Sequence, residues 1–407
     1  MRACGLALAC ILATPLLAAP AADHAPGDPD WHIPRAPADA GEPTHPDYVR
    51  LADALTRYQA LAAAGGWPEL EPGKTLTPGQ REPQVAALRE RLRTSGDFSG
   101  VSGTADAWFF DAGLQRALQD FQTRHGLPAT GDLDERTRDV ANLPVAARVR
   151  QLEVTLERWR WLPRHLGERY LWANIAGGTL DAVENGATVL SMRIIAGHPD
   201  RQTPSFQDTV RQIVVNPYWS VPRRIAVEDL LPWQLEDPTF LDRLGIRVYR
   251  ADDRWGKPVP PTAVRWSALS ADRFPYQLRQ DPGPLNSLGR LKFVLDNPWD
   301  IYLHDTPSRR LFDLNSRTLS SGCLRLEKPE ELARLLLGDE APVGAPSGAI
   351  REGGIAPEGA PTGASTTKTL AVPRPMPSYV VYLTSWVTPA GVVNFRPDVY
   401  GRDARLR

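Results

Sequence analysis

Short β-forming runs separated by turn residues occupy the chain from about residue 170 to residue 215. The runs 170–175, 179–183, 188–195 and 212–215 are bounded by Gly, Asn or Pro, a pattern typical of strands in a mainly β domain. Between the second and third runs, Glu184-Asn185-Gly186 predicts a hairpin, because Asn-Gly accepts the positive φ angles of a two-residue turn. The segment contains no glycine-rich phosphate loop and no dinucleotide-binding fingerprint, so this pattern gives no support to a nucleotide-dependent enzyme.

A helical periodicity precedes this β region, in residues 80–143. Apolar residues at helical spacing predict two helices there, and a third is expected to follow. They are Val85, Leu88 and Leu92 in the first helix, and Leu114, Leu118 and Phe121 in the second. A chain of 407 residues with 42% hydrophobic content is long enough for two or more domains with their own cores.

The ends of these regions are marked by changes in composition. Arg2, an apolar run over 6–17 and small residues over 18–22 are typical of an export signal. We expect residues 1–21 to be a signal peptide and the protein to be periplasmic, with a retained N-terminal anchor as the alternative. Residues 22–46 are predicted to be a disordered linker and residues 47–79 a short helical scaffold. A second Pro- and Gly-rich tract, residues 338–377, is predicted to be a flexible insertion.

Cysteine usage singles out one position. Removal of the signal would also remove Cys4 and Cys10, so Cys323 would be the only thiol of the mature chain. A lone thiol in an oxidising compartment cannot form an internal disulfide and is a liability unless it has a use. The alternative is a buried cysteine that acts as a small apolar side chain.

Cys323 lies in the segment Ser-Ser-Gly-Cys-Leu-Arg, residues 320–325, and His304 lies in Tyr-Leu-His-Asp-Thr-Pro, residues 302–307. A free thiol with a pKa of about 8.5 is only slightly ionised at neutral pH, so a cysteine nucleophile needs a base. His304 is the candidate, and it could return the proton to a departing amine. Gly322 allows a tight turn whose backbone N–H groups could converge on an oxyanion.

Each of three neighbouring side chains has two possible roles. Ser321 either orients the imidazole or satisfies the turn. Arg325 either binds a substrate carboxylate or backbone, or forms a salt bridge that holds the loop. Tyr302 shares a strand face with His304 and either contacts substrate or packs as an aromatic.

The net charge and the distribution of histidines argue against two other functions, nucleic-acid binding and zinc-dependent hydrolysis. The formal net charge of -1 gives no indication of a nucleic-acid partner. The seven histidines are scattered along the sequence, without a pair at metal-ligand spacing, which argues against a zinc amidase.

The two segments around His304 and Cys323 resemble the active-site signature of L,D-transpeptidases with a YkuD-type catalytic domain. The YcbB-like subgroup is most similar. Further segments carry the likeness: 157–163, 215–217, 219–222, 282–284 and 286–290. Residues 121–134 resemble a small three-helix peptidoglycan-binding module.

This resemblance implies a multidomain α+β protein. A peptidoglycan-binding-like three-helix module, residues 80–143, would precede a mainly β catalytic domain, residues 145–407. That domain would be a β-sandwich in which His304 and Cys323 face each other, with a capping subdomain over residues 216–276.

The resemblance also implies a reaction without metal or nucleotide cofactors. Cys323 would attack a peptidoglycan stem tetrapeptide at its third residue, release D-alanine and pass the acyl group to the amine of a second stem, forming a 3→3 cross-link. Carbapenem β-lactams would acylate the same thiol, and other cell-wall synthesis enzymes are candidate partners. The sequence does not decide between amine and water as acceptor. The alternative is therefore a cysteine L,D-carboxypeptidase or a hydrolase acting on stem peptides or wall-linked lipoprotein.

Overall fold

The computed structural model of the protein describes residues 28–37, 39–99, 106–254, 256–338 and 366–406. These residues fall into two compact units, Gly167–Val381 and Ala22–Leu166 together with Tyr382–Arg407. The predicted signal peptide and most of the predicted insertion lie outside the described residues. Within the described ranges, no helix is long and apolar enough to cross a membrane.

The helices are α1 (Pro46–Ala63), α2 (Pro83–Thr94), α3 (Ala112–Arg124), α4 (Glu135–Asn142), α5 (Val145–Trp161), α6 (Arg223–Ile225), α7 (Leu231–Glu236), α8 (Phe240–Arg243) and α9 (Pro329–Leu337). The strands are β1 (Trp31–His32), β2 (Arg169–Asn174), β3 (Thr179–Glu184), β4 (Ala187–Gly197), β5 (Ser205–Val215), β6 (Trp219–Ser220), β7 (Ile246–Arg250), β8 (Tyr276–Gln280), β9 (Leu291–Val294), β10 (Leu303–His304), β11 (Thr318–Ser320), β12 (Leu324–Leu326), β13 (Lys368–Val381), β14 (Ser385–Val387) and β15 (Val393–Phe395).

The helical unit contains the three helices predicted within residues 80–143. All six apolar residues that predicted the first two helices are fully buried in one cluster. Aspartate side chains cap two of the helices: Asp111 Oδ1 accepts from Leu114 N at 2.8 Å and Asp134 Oδ1 accepts from Thr137 N at 2.7 Å. Such caps satisfy backbone N–H groups that have no partner in the first turn.

This unit is larger than the predicted three-helix module. The structure assigns α5 and residues 382–406 to it, whereas the sequence placed both in the catalytic domain. Hydrogen bonds connect these segments: Thr155 Oγ1 lies 2.8 Å from Ser385 Oγ, and Gln151 Nε2 donates to Arg396 O at 2.9 Å. The fully buried Arg158 also pairs with Asp403. The prediction failed because these partners are more than 200 residues apart in the chain.

The predicted disordered linker 22–46 is also partly ordered. Trp31 is buried and packs edge-on against Trp161, with ring centroids 5.2 Å apart. Arg35 lies 3.8 Å from the centroid of the same Trp161 ring. The prediction overlooked that a single tryptophan in a polar, proline-rich segment can anchor it to a neighbouring helix.

Strands of the other unit close into a barrel-like sheet, where the resemblance implied a β-sandwich. Eight described strands pair in the order β5-β13-β2-β3-β4-β12-β10-β9, and β9 pairs back with β5. Closure depends on residues 212–215 of β5, which pair with β13 along one edge and with β9 along the other. A register shift in β13 between Ala371 and Met376 supplies the local bend that such closure requires.

The predicted hairpin is confirmed, and one predicted boundary is wrong. Asn185 and Gly186 have φ angles of 50° and 77°, and they join β3 to β4 as a two-residue turn requires. Residues 368–377, by contrast, belong to β13 and not to the predicted insertion 338–377. Their pairing with β5 satisfies backbone groups that composition alone could not assign.

The segment predicted as a capping subdomain, residues 216–276, forms a small subdomain that continues to β8. Its three-stranded sheet has the order β6-β8-β7. Trp219, Phe240 and Leu278 belong to its buried core, against which the ring of Tyr302 packs. This packing brings the subdomain to the edge of the strand that carries His304.

Candidate active site

Two parallel strands bring the predicted site residues together. In β10 and β12, Leu303 pairs with Leu324 and His304 pairs with Arg325. Side chains alternate along strands, and paired residues point to the same face. Extended by one residue before the start of β10 and of β12, this alternation places Tyr302 and His304 on the same face as Cys323 and Arg325. Cys323 lies beside Tyr302, and His304 is its diagonal neighbour.

The imidazole of His304 is held in one tautomer. Its Nδ1 lies 2.5 Å from the carbonyl oxygen of Asp305. A carbonyl oxygen only accepts, so Nδ1 carries the hydrogen and Nε2 of the neutral ring has a free lone pair. The Asp305 carboxylate in turn accepts from Arg290 N at 2.8 Å and from Arg309 Nη2 at 2.7 Å. No sequence motif predicts this use of a backbone carbonyl.

The electrostatic surroundings keep both reactive groups neutral. Burial, together with the cations Arg325 and Lys292, lowers the pKa of His304 to about 3, against the opposing effect of the hydrogen bond to Asp305. Burial also raises the pKa of the Cys323 thiol to about 11, against smaller opposing effects of Tyr302, Lys292 and Arg325. The resting pair is therefore a thiol and a neutral imidazole.

The sulfur of Cys323 has its own contacts. It lies 3.6 Å from Asp300 O, the acceptor for its proton. The Tyr302 hydroxyl is close enough to the sulfur and to Trp219 for both to affect its pKa. Asp300 has a φ of 53°, an uncommon conformation for a non-glycine residue. Asn297 braces this loop through hydrogen bonds to both backbone groups of Ile301, at 3.1 and 2.7 Å. Among the described residues, no hydrogen bond joins the sulfur directly to His304.

The turn before Cys323 is closed by a residue that sequence reasoning missed. Ser320 Oγ accepts from Gly322 N at 3.1 Å and donates to Cys323 O at 2.6 Å. Gly322 has a φ of +117°, which explains the glycine. The Gly322 N–H, predicted as an oxyanion donor, is thus already engaged within the turn. Sequence alone could not separate the roles of two adjacent serines.

Ser321 does not orient the imidazole, which was one of the two roles predicted for it. Its Oγ accepts from Arg201 Nη1 at 2.9 Å. The largely buried Arg201 also binds Asp229 at 2.6 and 2.7 Å and Glu228 at 2.8 Å. Both acids lie in the capping subdomain, so Arg201 connects that subdomain to the turn that precedes Cys323. No sequence motif drew attention to Arg201.

The raised thiol pKa predicts unusual alkylation kinetics. We expect Cys323 of the folded protein to react slowly with iodoacetamide at pH 7, because only thiolate reacts. A pKa near 11 leaves roughly one thiol in 10⁴ ionised at pH 7. The rate should rise about tenfold per pH unit from pH 6 to 9.5 without a plateau. Mass spectrometry of the Cys323 peptide measures it, and urea-unfolded protein, which should level off near pH 9, is the control. A plateau below pH 8 in the folded protein would contradict the neutral pair.

Comparisons with known proteins were made for the whole sequence. Residues 168–351 match the family described as "L,D-transpeptidase catalytic domain", the YkuD family. Residues 81–140 match the family described as "Putative peptidoglycan binding domain". A Haemophilus influenzae protein described as "Putative L,D-transpeptidase" is 34% identical over 259 residues, which cover 63% of this chain and 48% of that protein. The chain thus spans about half the length of this curated relative.

Solved structures show lower similarity. An L,D-transpeptidase from Xylanimonas cellulosilytica is 13% identical and aligns with 77% of this chain and 100% of its own, with a TM-score of 0.24. One from Stackebrandtia nassauensis is 15% identical, over 64% of this chain and 86% of its own, with a TM-score of 0.26. Scores this low support no argument about function, which depends here on the sequence matches and on the site.

Proposed function

We propose that the protein forms 3→3 cross-links between peptidoglycan stem peptides, on the premise that residues 168–351 match the L,D-transpeptidase catalytic domain family. The observation that carries the proposal is the face that Cys323, one residue before β12, shares with His304 in β10. Nε2 of the imidazole is left there as a base. The export-like segment 2–22 supports a periplasmic location, where the substrate is found.

Acylation follows from this arrangement. The thiol proton turns from Asp300 O toward His304 Nε2 while the sulfur attacks the carbonyl carbon at the L-centre of the third stem residue. Because both groups are neutral at rest, proton transfer and attack are coupled. The carbonyl oxygen becomes an oxyanion, and Cys323 N–H is the remaining donor in the turn that could stabilise it. The C–N bond then breaks, His304 returns the proton to the leaving D-alanine amine, and a thioester remains on Cys323.

The second half transfers the acyl group. A neutral side-chain amine of another stem attacks the thioester carbonyl carbon, and His304 accepts a proton from its nitrogen. The C–S bond then breaks, the new amide forms, and His304 passes the proton to the sulfur to restore the thiol. Water in place of the amine would give a carboxylic acid and make the protein a hydrolase. The capping subdomain, which contacts Tyr302 through Trp219, supports the transferase because exclusion of water protects a thioester.

Incubation of the purified protein with disaccharide tetrapeptides tests the proposal. Liquid chromatography with mass spectrometry should detect cross-linked dimers together with free D-alanine. Tripeptides without dimers would establish the hydrolase alternative, and unchanged tetrapeptide would exclude both activities. Heat-inactivated protein is the control for spontaneous products.

We further propose that residues 81–140 hold the enzyme on the wall polymer. Trp108 and Phe109 are exposed on this segment, by 51% and 40%, and exposed apolar side chains of this size often mark binding surfaces. We expect the double substitution Trp108→Ala and Phe109→Ala to weaken sedimentation with sacculi at least about fivefold. Turnover of soluble tetrapeptides should stay within twofold. Trp233→Ala, at a tryptophan of similar exposure, is the matched control for sedimentation, and unchanged sedimentation of the double variant would remove this surface from wall binding.

A further inference from the structure

Lys292 lies beside the reactive pair, and none of the described acidic side chains is close enough to form an ion pair with it. It pairs with His304 across β9 and β10, so its side chain is on the face that carries the imidazole. The side chain is half-buried, and its Nζ lies 3.9 Å from the centroid of the Tyr302 ring. Among the described residues, its ammonium makes neither an ion pair nor a hydrogen bond.

The charged form of Lys292 is destabilised at this position unless an anion binds beside it. Partial burial removes water from the ammonium, and the ring face of Tyr302 compensates only in part. Burial accordingly lowers the pKa of Lys292, and the nearby Cys323 and Asp300 oppose that effect. His304 becomes a cation during the proposed reaction, and a second cation beside it disfavours that step. A carboxylate bound at Lys292 would offset both effects.

We propose that Lys292 binds the carboxylate of the donor's terminal D-alanine, the residue that leaves. This inference rests on the transpeptidase function proposed above and adds the specificity of the same site. Lys292 would thus select donor stem peptides that end one residue after the scissile bond.

The distances allow this assignment. The Tyr302 ring contacts the Lys292 ammonium, and its hydroxyl contacts the Cys323 sulfur, so one phenol ring separates the two. The terminal carboxylate carbon lies about 4 Å from the attacked carbonyl carbon, which itself lies about 3–3.5 Å from the sulfur before attack. A terminal carboxylate can therefore reach the ammonium while the carbonyl lies at the thiol. A pentapeptide would place its carboxylate one residue further away.

Two donors that differ only in this carboxylate test the inference. One is the tetrapeptide with a free D-alanine carboxylate, and the other carries D-alaninamide at the same position. Wild-type protein should prefer the acid over the amide by at least about tenfold in kcat/KM. The variant Lys292→Met should lose that preference through a lower kcat/KM for the acid, while the amide donor changes by less than twofold. Lys368→Met, at an exposed lysine of the same unit, should keep the wild-type preference.

Each outcome separates the inference from the function on which it rests. A preference that persists in Lys292→Met, or an equal loss for both donors, overturns the role of Lys292 while leaving the transpeptidase in place. If wild-type protein converts neither donor, the proposed function fails and this inference fails with it. Thermal unfolding checks that the variant is folded, and Lys292→Gln replaces Lys292→Met if the latter is not.

Discussion

Cys323→Ser should lower cross-linking and D-alanine release by more than about 10⁴-fold, the size of loss seen when a nucleophile is removed. A serine hydroxyl at this position has far too high a pKa for one neutral imidazole to ionise it. The fold should remain, because the turn is held by Ser320 and by Thr203 Oγ1, which donates to Gly322 O at 2.7 Å. None of these bonds uses the sulfur.

Acylation by a β-lactam gives a second measurement on the same variant. A thiolate formed at Cys323 can open the strained ring, and the adduct keeps the full mass of the drug. We expect one meropenem adduct on wild-type protein, located on the peptide that contains Cys323, and none on Cys323→Ser. Ser321→Ala, which leaves the nucleophile intact, should still be acylated. Retention of a tenth of wild-type turnover by Cys323→Ser would mean that the wrong nucleophile has been named. So would an adduct that still forms after Cys323 has been fully alkylated with iodoacetamide at about pH 9.5, where its thiolate fraction is larger.

His304→Asn should lower turnover at pH 7 by about 10²- to 10⁴-fold, the range expected for a general base and acid. Asparagine keeps a side-chain N–H near the position of Nδ1, so the hydrogen bond to Asp305 O can persist. It lacks an atom equivalent to Nε2. The variant therefore removes the base while leaving a donor in the buried site.

The pH dependence separates a catalytic from a structural role for His304. The raised pKa of the Cys323 thiol lies above the pH range of the assay, so its thiolate fraction increases with every pH unit over that range. At higher pH more of the thiol is therefore ionised without help from His304. The loss caused by His304→Asn in the acylation step should therefore shrink from pH 7 to pH 9.5. Single-turnover release of D-alanine measures it. A loss that is constant over this range, with a changed unfolding temperature, would indicate damage to the fold.

Features that depend on a few consecutive residues could be predicted from the sequence. The segments 302–307 and 320–325 carried a resemblance that the family matches confirm. The hairpin at Asn185 and the helices α2 and α3 followed from turn propensity and helical spacing, which act over a few residues. The roles assigned to Cys323 and His304 remain predictions that the experiments above test.

Other features depended on contacts between distant parts of the chain. Lys292 becomes part of the site only because β9 pairs with β10, and Arg201 reaches Ser321 across 120 positions. Closure of the sheet likewise requires β5 to pair with two strands that come much later in the sequence. Sequence periodicity reports which face of a strand is apolar but not which strand lies beside it. The sequence by itself therefore predicted the local elements and the candidate residues Cys323 and His304, because these signals act over a few residues. Tertiary pairing alone decided which charged side chains surround that pair.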